Sequence, residues 1–349
     1  MKKSSIIIFY SMLIILAENS FGQWTKEKAN EWYKHQPWLA GCNFIPGTAI
    51  NQLEMWQKET FDLPTIDREL GWAQDIGFNL IRVFLHNLLW EEDKQGFKER
   101  INKFLEVCDK HKIKVMFVLF DDCWDKNPQL GKQREPRKGV HNSGWVQAPG
   151  ETILNDSIQW NRLADYEKDI LISFSNDYRI LIWDLYNEPG NSGYGKKTLP
   201  LLKKVFSWAR EANPSQPISA GVWADDLKDL NEFQLQNSDI ITYHNYGNAE
   251  GMEKQIIELQ KLGRPVLCTE YMARTNNSRF ETHMPILKKY KVAAINWGFV
   301  SGKTNTIFPW GSKEGTEEPE LWFHDIFRKD GTPFDKKEIE LIIKLTNKK

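Results

Sequence analysis

Short apolar runs alternate along this chain with longer segments in which apolar residues recur every three or four positions. Eight runs have the length and the β-branched or aromatic content of buried strands. They are WLAGCNFI from 38, NLIRVFL from 79, KVMFVLF from 114, RILIWDLY from 179, PISAGVW from 217, DIITYHNY from 239, RPVLCTEY from 264 and VAAINWGF from 292. Helical spacing fills the intervals at 66–76, 97–111, 160–174, 199–212, 252–262 and 280–290. Weaker helical patterns fall at 225–235 and 321–327, the last with an extension over 336–345.

A strand followed by a helix, repeated, predicts a parallel sheet, because parallel neighbours need a crossover connection. Eight such units predict an α/β fold of the (β/α)8 TIM-barrel type, which needs roughly 250 residues plus loop insertions. A doubly wound open sheet is the runner-up, disfavoured because no glycine-rich phosphate turn follows the first strand. No repeat or low-complexity linker divides the chain, so residues 23–349 read as one barrel domain. The long irregular stretches 121–154 and 300–320 follow strands three and eight. Loops of that length in a compact domain usually carry function.

Residues 1–22 read as a signal peptide: Lys2 and Lys3, an apolar stretch from Ile6 to Ala17, and the small Ser20 and Gly22 ahead of a cut before Gln23. The expected destination is outside the cytoplasm, secreted or periplasmic, with no membrane span after signal removal. Lysine and arginine total 46 against 47 acidic residues in 349, without basic blocks, which argues against nucleic acid as a partner. The four cysteines have no CxxC spacing, and apolar neighbours predict buried thiols rather than zinc ligands. Most of the fifteen tryptophans are expected in the core, but sugar-binding clefts also use such flat faces.

Active groups in a TIM barrel gather at the C-terminal ends of the strands. Polar or aromatic residues hold that position in unit after unit: Arg82 and His86, Asp121 and Asp122, Asn187 and Glu188, Trp223, His244 and Tyr246, Glu270, and Trp297. Each alone has a structural explanation, the histidines as satisfied core residues and the Asn-Glu-Pro as a strand end. Arg82 is the exception: inside an apolar run it must find a carboxylate. Glu188 and Glu270, on strands four and seven, would face each other, as glycoside hydrolysis requires of an acid and a nucleophile. Arg82 and Tyr246 should keep Glu270 ionised, and its charge should raise the pKa of Glu188. Pro189 and Gly190 would turn the chain so that Glu188 stays at the mouth.

The combination of NEP ending the fourth strand, TEY ending the seventh, HNY on the sixth and RVF on the second resembles the clan A glycoside hydrolases, most closely glycoside hydrolase family 5. The resemblance implies Glu188 as acid/base, Glu270 as nucleophile, Asn187 on the sugar 2-hydroxyl, His244 and Tyr246 as the His-x-Tyr pair and Trp297 as the floor under the sugar. It implies a β-linked poly- or oligosaccharide as substrate, with neither metal nor organic cofactor. Where the family shows a histidine after the third strand this chain has FDDCW, so Asp121 or Asp122 is the expected sugar contact there. Trp124 and Trp145 are further candidate platforms. A barrel that binds sugar without cutting it, a transglycosylase using the same residues, and a metal hydrolase built on His86, Asp121, Asp122 and His244 are the alternatives.

Overall fold

The computed structural model describes residues 22–348. The expected signal peptide, apart from Gly22, lies outside the described residues. Eight parallel strands form one sheet in the order β5-β4-β3-β2-β1-β8-β7-β6. They are β1 (Ala40–Asn43), β2 (Leu80–Phe84), β3 (Lys114–Asp121), β4 (Ile180–Asn187), β5 (Ile218–Ser219), β6 (Ile241–His244), β7 (Val266–Glu270) and β8 (Ala293–Asn296). The edges β5 and β6 meet through Val222, which bridges Tyr243, and through Asp239 N–H donating to Ile218 O at 2.9 Å. The result is the expected (β/α)8 barrel.

The strands are buried on both faces, which explains their near-continuous apolar runs. Their outward side chains pack under amphipathic helices such as Lys94–Lys110, Trp160–Ser173 and Leu199–Ala212. The interior is layered. Leu80, Met116, Ile182 and Leu267 fill the lower part, closed from below by the helix Lys26–Lys34 through Ala29 and Trp32. One pleat higher the interior turns polar, with Arg82 and Asp184; above it, Phe84 and Val118 pack with Trp145. Alternation along β2 thus sends Leu80, Arg82 and Phe84 to the same face.

One helical expectation is corrected. Residues 321–327 form no helix and run irregularly beside the chain leaving β8, with Phe323 N–H donating to Ile307 O and Ile326 and Phe327 N–H to Phe299 O. Their apolar residues repeat as in a helix, but backbone partners on the neighbouring segment compete successfully with helical bonding. The last helix is Lys336–Thr346, capped by Asp335. Short helices at Gln52–Trp56, Asn87–Glu92 and Glu151–Leu154, in the loops, carry too few turns to leave a periodic signal.

Candidate active site

At the C-terminal end of the barrel, Arg82 organises the centre. Its Nε donates to Asp184 Oδ2 at 2.8 Å, Nη1 to Asn43 Oδ1 at 2.8 Å and to Glu270 Oε1 at 2.7 Å, and Nη2 to Asn187 Oδ1 at 2.7 Å. The carboxylate that the sequence demanded for Arg82 is therefore two carboxylates. Asp184, one inward position before the end of β4, escaped the sequence reading. Its signal was an acid on the inward face of the apolar run IWDLYN.

Glu188 follows β4 directly, in a left-handed conformation with φ of 43°, and Gly190 turns again at 88°. Left-handed backbone is costly for a residue with a Cβ and is characteristic of functional positions. The turn presents Glu188 to the cleft, where His244 Nδ1 lies 2.8 Å from Oε1 and the Cys123 thiol 3.2 Å from Oε2, beside the Asn191 amide. Trp223 Nε1 donates to Pro189 O at 3.1 Å and so braces the same turn.

Across the mouth, Glu270 ends β7. Tyr246 Oη donates to its Oε2 at 2.8 Å, and His244 Nδ1 stands 3.5 Å from the same oxygen. Carboxylate oxygens of Glu188 and Glu270 and a ring nitrogen of His244 all lie within 4.8 Å of one another.

Burial pushes both carboxyl groups above the ordinary carboxylate range, so the expectation of a low Glu270 is corrected. The opposing forces differ. Glu270 is drawn back down by the Arg82 charge and by the Tyr246 hydroxyl and raised further by Glu188, whereas Glu188 has chiefly the uncharged donors Cys123 and Asn191. The guanidinium of Arg82 is bonded to Glu270 and not to Glu188, an arrangement that favours the negative charge on Glu270 and the proton on Glu188. Burial lowers His244 to about 4, so its ring is neutral, and its Nε2 has no hydrogen-bond partner among the described residues. A cation at this trio would sit against the Arg82 charge already bonded to Glu270.

Glu188, Glu270, Asn187, His244, Tyr246, Trp223 and Trp297 line one cleft of about 600 Å³. Four other expected sugar contacts do not reach it. Arg82 lies beneath it, fully enclosed by its four partners. His86 is buried, with Nε2 2.9 Å from Gln147 O and Nδ1 accepting from Leu88 N–H, where it caps the helix Asn87–Glu92. Asp122, pushed up to about 7 by burial, accepts from Tyr186 Oη, Gly190 N–H and Thr198 Oγ1, fastening the turn behind Glu188. Asp121, raised to about 6 by burial, accepts from Trp145 Nε1 and Asn187 Nδ2 and so fixes the amide that faces the cleft. The quartet considered as a metal site does not converge. All four cysteines are buried free thiols, as expected.

The sequence reading missed Cys123, Asn191, His141 and Trp310 as cleft residues. The first two follow polar strand ends closely and could have been suspected from position. The other two come from the long loops, where no spacing rule applies.

Comparison with known proteins agrees with the barrel fold. The family profile described as Cellulase (glycosyl hydrolase family 5) matches residues 40–302. No curated protein matches significantly. Among solved structures, a GH5_18 protein from Streptomyces cattleya in complex with GlcNAc is 12% identical, with a TM-score of 0.59 over 88% of this chain and 79% of its own. The exo-beta-1,4-mannosidase Op5Man5 from Opitutaceae bacterium strain TAV5 is 15% identical, with a TM-score of 0.63 over 88% and 59%. An endo-beta-1,4-mannanase from Thermotoga petrophila is 15% identical, with a TM-score of 0.56 over 90% and 77%. With a family match across most of its length on a barrel of this architecture, the chain belongs to glycosyl hydrolase family 5 and is a glycosidase.

Proposed function

We propose that this protein is an exported, retaining β-glycosidase in which Glu188 is the acid/base and Glu270 the nucleophile. The observation that carries the proposal is the approach of their carboxylate oxygens to within 4.8 Å. Retaining enzymes hold the two carboxyl groups about 5–5.5 Å apart, whereas inverting ones need roughly 6.5–9.5 Å to admit a water between them.

In the first step the Glu270 carboxylate, positioned by Arg82 and Tyr246, attacks the anomeric carbon while protonated Glu188 gives its proton to the departing oxygen. Formation of the ester removes the negative charge of Glu270. Glu188, now without that neighbour's repulsion, holds its proton less tightly and suits the role of base toward water. Asn187, held by Arg82 and Asp121, offers its amide to the sugar 2-hydroxyl, and Trp297 supports the ring. Export rests on the sequence of residues 1–22. Among the described residues no helix is long and apolar enough to cross a membrane.

The test uses residues 23–349 and the Glu270→Ala variant on a panel of β-mannosides, β-glucosides and other β-linked sugars. Cleavage by the parent alone, with the β-anomer appearing first by NMR, is the expected result. Appearance of the α-anomer first would overturn retention. Sugar binding without turnover would favour a non-catalytic barrel, and longer products at high sugar would favour transglycosylation.

A further inference from the structure

We infer that this barrel accepts its substrate by the non-reducing end and releases one sugar at a time, an inference that rests on the retaining-glycosidase reading above. The loops after β3 and β8 are not two lips of an open groove, because they are joined. Asn142 N–H donates to Thr304 O at 2.8 Å, Gly315 N–H to Lys138 O at 2.9 Å, and the Asn305 amide to Arg137 O at 2.9 Å. The chain after β1 is tied to the same structure, with Asn51 Nδ2 donating to Gly144 O at 2.8 Å and Gln52 Nε2 to Val146 O at 2.6 Å. Gly302 approaches Gly47 so closely that a Cβ on it would fall 2.5 Å from the Gly47 Cα. These bonds and the close approach of Gly302 to Gly47 hold the three segments against one another.

Strands β8, β1, β2 and β3 are consecutive neighbours, so the joined loops wall that half of the mouth. The connections on the other half are short, the one after β6 spanning only 245–248 before the helix Ala249–Gln260.

The orientation of the substrate follows from the chemistry. The sugar that Glu270 attacks lies over Trp297, and the departing oxygen faces Glu188 on β4. The leaving group therefore extends toward Trp223 and the short loops. A second sugar on the opposite side would have to pass Trp297 into the wall. There Trp145 stands 5.6 Å and Phe84 5.8 Å from the Trp297 ring centre, edge to face. The space behind these rings is a cavity of about 20 Å³, enough for a water molecule and far too small for a pyranose. At the wall, His141 Nδ1 is 2.7 Å from Phe308 O and so carries the ring proton. Its Nε2 is left as an acceptor suited to a hydroxyl of the terminal sugar.

The experiment takes the sugar identified by turnover of aryl β-monoglycosides and presents its pentaose, labelled at the reducing end, in native form and with O4 and O6 of the non-reducing sugar capped. Labelled tetraose and free monosaccharide as first products, with the capped pentaose cut at least 100-fold more slowly, are expected. Labelled di- or trisaccharide appearing as early as tetraose, or the capped chain cut at a comparable rate, would overturn the inference. Internal cutting of pentaoses by an enzyme that leaves every aryl monoglycoside intact would overturn it as well. If neither aryl glycosides nor native pentaoses are cleaved, the glycosidase reading itself fails, a result distinct from internal cleavage.

Discussion

The thiol of Cys123 donates to Glu188 Oε2 across 3.2 Å. This contact stabilises the ionised form of Glu188 against the burial that raises its pKa. Turnover needs Glu188 protonated and Glu270 ionised, so the rate should fall as pH rises through the first pKa and as it falls through the second. Cys123→Ala removes a donor to the Glu188 carboxylate and should move the alkaline limb to higher pH while leaving the acid limb in place. Loss of a single weak hydrogen bond, about 0.5–1.4 kcal/mol, should slow kcat by roughly two- to tenfold. A pH–rate profile with both limbs unmoved would place the thiol outside the proton inventory of the site.

Glu188→Ala should reduce turnover of an unactivated oligosaccharide by roughly 10²–10⁴-fold, the usual worth of general acid catalysis. On an aryl glycoside with a good leaving group the loss should be smaller, and azide should restore rate by attacking the ester. Glu270→Ala should abolish turnover on every substrate. Steady-state rates on the two substrate types separate the roles, and equal losses in Glu188→Ala on both would contradict the assignment.

Arg82 is paired with two buried acids, Asp184, which is fully enclosed, and Glu270, whose side chain is 5% exposed at the cleft. Arg82→Met leaves those charges uncompensated and should cost about 3–5 kcal/mol, read as a drop in the urea midpoint. A midpoint within error of wild type would show that the acids simply take up protons at little cost.

Glu69, on the helix Leu63–Asp75, accepts from Gly47 N–H at 3.2 Å and is lifted by burial to about 8. Unfolded, it releases its proton near the ordinary 4.5; folded, it keeps it until about 8. Between those values the unfolded state binds fewer protons, so stability falls as pH climbs through the window. Glu69→Gln should flatten that decline in a Tm-against-pH series. A slope identical to wild type would mean that Glu69 does not cause it.

Trp297 is half-buried, with one face in the cleft and its edges against Phe84 and Trp145. Trp297→Ala should raise KM by about ten- to a hundredfold, the loss expected when a large aromatic anchor of binding is removed, about 1.4–2.7 kcal/mol. Unchanged kinetics with a lower Tm would assign the ring to packing.

The sequence by itself determined the barrel. Strands buried on both faces must be apolar throughout, and the helices covering them must be amphipathic, so both periods are written locally in the chain. It also determined that Glu188 and Glu270 stand at the same end, because strand polarity in a parallel barrel puts every strand's C-terminus there. The buried Arg82 predicted its acid partner by the cost of an unpaired charge. What tertiary structure decided was which polar strand-end residues meet the cleft. Asp121 and Asp122 follow each other at one strand end, yet both turn to donors behind the site, because Trp145, Tyr186 and Thr198 arrive there from other parts of the chain. It also decided the wall: residues 121–154 and 300–320 have no periodicity, and their joining depends on backbone hydrogen bonds between segments more than 150 residues apart, which no local pattern encodes.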